Sequence, residues 1–333
     1  MNSLQTLDAA RSLDTIEQEI DEVSEMLVEA ASLNYPMLSV LLQAIIQAGG
    51  KRLRPRMTLL SARAPGHPEK IDSLNLKQVA AAVEMLHTAT LVHDDTIDEA
   101  LMRRGSPTLN STISGGTVVL VGDYLFAQSA ILITRPGNPR IMQIFAECLA
   151  TICDGELTQL FSARHWKQSR EEYYKRIYSK TAVLFATACE LGAIVGGADD
   201  EFSGRMRRFG HLLGMGFQII DDIIDFQPLN ITGKVPGGDL RQGIVTLPTM
   251  VFFEKASSEN ISFVRKLVES GNSSDEDVTR AVELIKESGA FDEAIEVAQD
   301  FIQRAKDILS EVEENEAVAS LLQIADYALK REK

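Results

Sequence analysis

The residues with the clearest chemical content form two clusters of one design, His93-Asp94-Asp95-Thr96-Ile97-Asp98 and Ile220-Asp221-Asp222-Ile223-Ile224-Asp225. In each, the first and last aspartates stand four positions apart, so on a helix their carboxylates share a face, one turn from each other. Like charges at that spacing repel and cost stability unless a cation sits between them. One such cluster alone reads equally well as a solvated acidic helix face. Two copies change the weighing, because both continue strongly apolar helix, Leu86 to Val92 and Met215 to Ile224. Hard oxygen ligands at low count suit Mg²⁺ that keeps its waters and bridges a phosphate. Asp94, Asp95, Asp98, Asp221, Asp222 and Asp225 are therefore candidate metal ligands.

A scattered basic set accompanies them: Lys51, Arg52 and Arg54 after Gly49-Gly50, Arg103-Arg104 after the first cluster, Lys180, and Lys234 in Thr232-Gly233-Lys234. Taken singly, each reads as a surface side chain with its stem on apolar neighbours and its head in water. Their joint occurrence beside the acidic clusters points instead to an anionic ligand held locally. No Ser-His-Asp or Cys-His arrangement suggests a nucleophile.

The elements that must position these groups are helical. Leu13, Ile16, Ile20, Val23, Leu27 and Ala30 line one face of an amphipathic helix over residues 13–33, ended by Asn34 and Pro36. Further helices are expected over Met37 to Ala48, Leu74 to about Glu99, Gly116 to Thr134 and Arg140 to about Lys167. Ser169 with Glu172, and Ser273 with Glu276, have the spacing of helix caps. No sustained period-two alternation and no Gly-, Ser- or Pro-rich linker divides the chain, so one all-α domain over 1–333 is expected.

Bulk properties narrow the class. The 333 residues are 45% hydrophobic and 24% charged, the balance of a folded globule. A formal charge of −15 argues against broad nucleic-acid binding, which needs clustered Lys and Arg. Cys148, Cys153 and Cys189 follow no Cys-x-x-Cys spacing, and the first thirty residues carry eight acidic ones rather than a basic, apolar leader. A reduced, cytoplasmic protein is the expectation. Residues 117–133 are the most apolar stretch, but Asp123 and Gln128 interrupt it, and no membrane span is expected.

Taken in order, Gly49-Gly50-Lys51-Arg52-Leu53-Arg54-Pro55, the two aspartate clusters, Arg103-Arg104-Gly105, Gly122-Asp123-Tyr124, Lys180-Thr181 and Gly216-Phe217-Gln218 resemble the trans-isoprenyl (polyprenyl) diphosphate synthase family over residues 49–248. The resemblance implies a helical bundle of the isoprenoid synthase type around a central cavity, with the N-terminal helix packed against it. It implies condensation of isopentenyl diphosphate with an allylic diphosphate, head to tail, with Mg²⁺ as cofactor and a homodimer as the assembly. Asp94, Asp98 and Asp221 would hold the metal ions, supported by Asp95, Asp222 and Asp225. Arg103, Lys180, Thr181, Gln218 and Lys234 resemble the contacts to the allylic substrate. Lys51, Arg54, His87 and Arg104 resemble those to isopentenyl diphosphate, with Arg52 as a neighbour.

The sequence departs from the family pattern at 227–232, a segment about one residue short and without its usual acidic residues, and Pro236 stands two after Lys234 rather than next to it, which puts Lys234's contact in doubt. Leu86, Ala89 and Thr90, one and two turns before Asp94, would line the path of the growing chain. Small side chains at Ala89 and Thr90 resemble members making medium-to-long products, whose lipid product is handed to a membrane. The alternatives are a short-chain farnesyl or geranylgeranyl diphosphate synthase and a non-catalytic partner subunit of a heteromeric enzyme. A terpene cyclase is disfavoured because its second metal motif usually mixes Asn, Ser and Glu.

Overall fold

The computed structural model describes the chain except Met1, Pro68, Lys70, Arg104, Gly105, residues 228–235, Asn272 and residues 332–333, and of residues 2–14 it describes the backbone alone. The helices expected over 13–33, 37–48, 74–99 and 116–134 correspond to α1 (Asn2–Ala30), which starts well before residue 13, α2 (Pro36–Gln47), α4 (Ser73–Ile97) and α5 (Gly115–Thr134); α3 (Leu53–Arg63), α6 (Pro139–Ser162), α7 (Arg170–Ile177), α8 (Val183–Val195) and α9 (Asp200–Ile224) complete this part of the chain. After α10 (Gly238–Gln242) come α11 (Leu247–Lys255), α12 (Ser258–Ser270), α13 (Asp275–Glu287), α14 (Ala290–Ser310) and α15 (Glu316–Lys330). Among the described residues the strands are two residues long, Met102–Arg103 and Ser106–Pro107, paired antiparallel. The fold class is all-α.

The chain forms two compact units, one from Met1–Leu149, Leu184–Arg208 and Ile308–Gln323, the other from Ala150–Val183, Phe209–Asp307 and Ile324–Lys333. In the first unit α4 is the central helix, packed against α1, α3 and α5. Its run Val79-Ala80-Ala81-Ala82-Val83 is buried on every side, as befits a helix whose apolar residues do not keep to one stripe. Small side chains let the neighbours approach. The α1 stripe is seated through Ile16, Ile20, Val23 and Leu27, and Tyr124 Oη donates to the Ser32 carbonyl at 2.8 Å just beyond the end of α1.

Glycine sets the closest approach in this unit. A Cβ on Gly192 of α8 would stand 2.2 Å from the Thr58 carbonyl oxygen of α3, and one on Gly196 would stand 2.3 Å from that of Ala62. In the second unit Gly216 plays the same part for α9 against α14, where a Cβ would meet Ile302 at 2.7 Å. That unit is filled by Ile219, Ile223, Leu247, Val251, Phe252 and their neighbours.

Several local expectations shift. Ser169 and Glu172 form the predicted capping box on α7, whereas the cap of α13 is Ser274, whose hydroxyl accepts from Asp277 N at 3.1 Å, one residue after the expected Ser273. Helix α6 ends at Ser162 rather than near Lys167, and Arg164 follows in a left-handed conformation. The apolar stretch expected at 117–133 is part of the longer α5, and by length and composition both Gly115–Thr134 and 170–195 would suffice to cross a membrane. The second is 83% buried within the protein, as a core helix is; the first is only 39% buried.

Alanine at Gly192 gains about 1 kcal/mol of helix propensity but collides with a backbone carbonyl that cannot step aside, so a net loss of about 1–3 kcal/mol is expected. Gly204 of α9 has nothing within 4 Å of its would-be Cβ, and there the same substitution should stabilise. Thermal unfolding of Gly192→Ala and Gly204→Ala should move in opposite directions; a common direction would show that the close approach is not rigid.

Candidate active site

Both acidic clusters lie at C-terminal ends of long helices, where the helix dipole already disfavours negative charge. Each must find cations or donors. In the first unit α4 ends within its cluster, with Asp98 as the C-cap residue and Glu99 left-handed. The loop that follows is tied back: Asn110 Nδ2 donates to the Asp95 carbonyl at 2.6 Å, and Thr108 Oγ1 to that of Ala100 at 2.5 Å. Asp95 turns inward and is buried, its carboxylate held by Arg103 Nε at 2.7 Å. Asp94 is half-buried and Asp98 exposed.

The same helix carries His87, which lines a cavity of about 120 Å³ together with Gly49, Gly50, Arg52, Asp95 and Arg103. The structure thus brings together residues that sequence reasoning assigned to two different substrates. Lys51 is exposed, and the Arg54 guanidinium lies over the Phe185 ring, 4.6 Å from its centroid. Gly122 makes room for a neighbour: a Cβ there would lie 2.1 Å from His93 Nε2, and the His93 ring packs beside Phe126 at 5.1 Å.

In the second unit Lys180 and Thr181 sit in a π-helical turn, Tyr178–Ala182, between α7 and α8. Such turns are unusual and cluster at functional sites. Thr181 Oγ1 donates to Gln218 Oε1, Gln218 Nε2 to Asp222 Oδ1 at 2.8 Å, and Tyr173 Oη to Asp222 Oδ2 at 2.7 Å. Lys180 Nζ lies 3.3 Å from Gln159 Oε1. Burial, with the charge of Asp239 added, pushes the Asp222 carboxyl upward, and the hydrogen bonds from Gln218 and Tyr173 oppose it. Burial and the Asp222 charge raise the Tyr173 phenol well above its ordinary value, so it stays a donor.

Asp221 and Asp225 have separate partners. Asp221 Oδ1 pairs with Arg331 Nη2 at 2.8 Å, and the Arg331 guanidinium stacks on Phe217, 4.0 Å from the ring centroid. Asp225 Oδ2 accepts from the Asp239 amide at 3.0 Å in the first turn of α10. Gly216-Phe217-Gln218 thereby acquires three distinct tasks: close packing, stacking on Arg331 and orienting Asp222. Arg104 and Lys234 lie outside the described residues.

Sequence reasoning missed Tyr173 and Arg331. Neither carries a local signal, since each is joined to its aspartate only by tertiary structure. Among the described residues no three His, Cys, Asp or Glu side chains converge to hold a metal ion by themselves. The aspartate carboxylates still offer the right donor type, and an ion that keeps most of its water and shares a phosphate needs few protein ligands.

This all-α fold with paired aspartate clusters is that of the isoprenyl synthases. The model of the polyprenyl synthetase family matches residues 35–285, and the chain belongs to that family. It is 36% identical over 317 residues to heptaprenyl diphosphate synthase component 2 of Bacillus subtilis (strain 168), covering 95% of this chain and 89% of that one. It is 34% identical to the all-trans-nonaprenyl-diphosphate synthase (geranyl-diphosphate specific) of Rhodobacter capsulatus, covering 96% and 97%. The crystal structure of a polyprenyl synthase from Caulobacter crescentus CB15, complexed with calcium and isoprenyl diphosphate, superposes with a TM-score of 0.91 at 33% identity, over 98% of both chains.

Removing the Tyr173 hydroxyl leaves buried Asp222 one donor short. Tyr173→Phe should cost about 1–3 kcal/mol of stability, read as a lower urea midpoint in metal-free buffer. An unchanged midpoint would mean that this hydrogen bond does not hold Asp222.

Proposed function

We propose that the protein is a Mg²⁺-dependent prenyltransferase that condenses isopentenyl diphosphate with an allylic diphosphate to a trans-polyprenyl diphosphate of medium-to-long chain. One observation carries the reading: three aspartates crowd the C-terminal end of each of two long helices, α4 and α9, where the helix dipole already disfavours negative charge and cations or donors must relieve it. Asp94, Asp98 and Asp221 are the proposed metal ligands, with Asp95, Asp222 and Asp225 supporting them. When bound, Mg²⁺ supplies positive charge to the diphosphate leaving group. Lys180, with Arg103, Thr181, Gln218 and Lys234, holds the allylic diphosphate and stabilises the charge that develops as it departs. Lys51, Arg54, His87 and Arg104 hold isopentenyl diphosphate, whose double bond attacks the allylic cation. Proton loss to the released diphosphate completes the unit, and apolar walls keep water from the cation.

The proposed assembly is a homodimer. Helix α5 exposes Leu120 and Ile131, and α6 exposes Leu157, Leu160 and Phe161, the last 82% exposed. Each helix thus leaves large apolar side chains in water, which a second chain would cover. The expected setting is the cytoplasm, with the product passed to a membrane. The Bacillus relative's name, with its "component 2", favours a second reading in which a different chain completes the enzyme. The retention of both aspartate clusters and the described basic residues supports activity of this chain itself.

The test uses purified protein alone with Mg²⁺, labelled isopentenyl diphosphate and an allylic primer. Label should enter organic-extractable product, and Asp94→Ala or Asp221→Ala should lower turnover by about two orders of magnitude or more while the melt stays near wild type. Near-normal turnover in both variants would remove the aspartates from the reaction. Silence of the wild type would favour the second reading.

Product length supplies a further check. Leu86 and Ala89 are fully buried, and Thr90 is half-buried with its hydroxyl turned back to the His87 carbonyl at 2.7 Å. A ring introduced at Ala89 or Thr90 should obstruct the growing chain and shorten the dephosphorylated product on chromatography, with total condensation retained. An unchanged long product from both Ala89→Phe and Thr90→Phe would take this face of α4 out of the chain's path.

A further inference from the structure

The Gly-Gly loop carries more cationic charge than it can present. Of Lys51, Arg52, Arg54 and Arg56, two are turned to other uses. Arg52, at the start of α3, adopts a left-handed backbone (φ 50°) that a non-glycine residue takes only at a cost in free energy, and its side chain points inward, 8% exposed. Its Nη1 donates to Glu84 Oε1 of α4 at 2.9 Å, and its Nη2 to the Ile46 carbonyl in the last turn of α2. Gly49 is the residue that permits this, because a Cβ there would stand 2.5 Å from the guanidinium carbon. Arg56 works from outside: its Nε donates to the Lys51 carbonyl at 2.9 Å while its fork grips Glu17 at 2.6 and 2.7 Å.

A buried ion pair is a poor source of stability, since desolvation offsets most of its attraction and an apolar pair of like volume often serves as well. Geometry is the better reason for keeping one. Glu84, 6% exposed, lies one helical turn before His87, and Gly49, Gly50, Arg52, Glu84 and His87 line the same cavity. We infer that Arg52 and Glu84 are a positioning pair that fixes the Gly-Gly loop against α4, and thereby sets the placement of Lys51 and Arg54 relative to His87 for the diphosphate of the isopentenyl substrate. Arg52 is on this account a brace rather than a ligand to substrate. The inference rests on the proposed assignment of this loop to isopentenyl diphosphate.

The experiment measures KM for each substrate separately, with thermal melts, in Glu84→Gln, Arg52→Lys and the double variant Arg52→Met/Glu84→Met. Glu84→Gln should raise KM for isopentenyl diphosphate about tenfold and KM for the allylic diphosphate by less than about twofold, with the loss in KM rather than kcat. Arg52→Lys should show part of this rise, because an ammonium keeps the charge opposite Glu84 but cannot span both it and the Ile46 carbonyl. The double variant separates position from stability: it removes the buried charges together and should melt near or above wild type, yet keep the raised KM. It also decides the matter if Glu84→Gln does not fold. A double variant with wild-type KM for isopentenyl diphosphate, or variants that raise both KM values equally, would overturn the inference. A wild-type protein that incorporates no isopentenyl diphosphate would instead overturn the proposed function.

Discussion

Repulsion among carboxylates at helix C-termini is the constraint on which the rest of this structure depends. Three aspartates at the end of α4 and three at the end of α9 add their charge to the negative pole of a helix. The chain relieves part of that repulsion internally. Arg103 takes Asp95, Arg331 takes Asp221, Asp222 is buried under Tyr173 and Gln218, and Asp225 receives the first turn of α10. Six carboxylates at two helix ends favour any cation that approaches them. On the proposed function, cations held there would also be the means of gripping a diphosphate, whose charge would otherwise be repelled by so many carboxylates.

Holding such groups steady requires rigid supports. The motif glycines contribute by removing bulk where helices or side chains must nearly touch: Gly49 under Arg52, Gly122 against His93, Gly216 against Ile302. The neighbouring motif residues then reach their partners. Tyr124 ties α5 to the chain beyond α1, and Gln218 bridges Thr181 to Asp222. Motifs that look like a set of substrate contacts in the sequence therefore divide in the structure into groups that present charge and groups that hold the presenters in place.

Much of this was legible beforehand, for definite physical reasons. Helical periodicity in α1, the Ser169–Glu172 box and the i, i+4 aspartates are local patterns, and local patterns survive folding. The shift of the α13 cap from Ser273 to Ser274 shows how adjacent serines defeat a spacing rule. The π-turn at Lys180 and the two-residue strands around Arg103 are too short to leave a periodic trace. Arg331 and Tyr173 were invisible because only the packing of distant segments brings them to Asp221 and Asp222. The basic run containing Arg52 gave no hint of its left-handed backbone or of Glu84, toward which its side chain turns inward.

The most direct measurement is the thermal stability of the purified protein with inorganic pyrophosphate, with and without Mg²⁺. If the aspartate clusters exist to hold metal ions that bind a diphosphate, Mg²⁺ and pyrophosphate together should raise the melting temperature by more than the sum of their separate effects. Excess chelator should reverse the rise, and Asp94→Ala should largely lose it. A melting temperature indifferent to Mg²⁺ in the presence of pyrophosphate, or a rise undiminished in Asp94→Ala, would contradict the assignment of these carboxylates to a metal–diphosphate site.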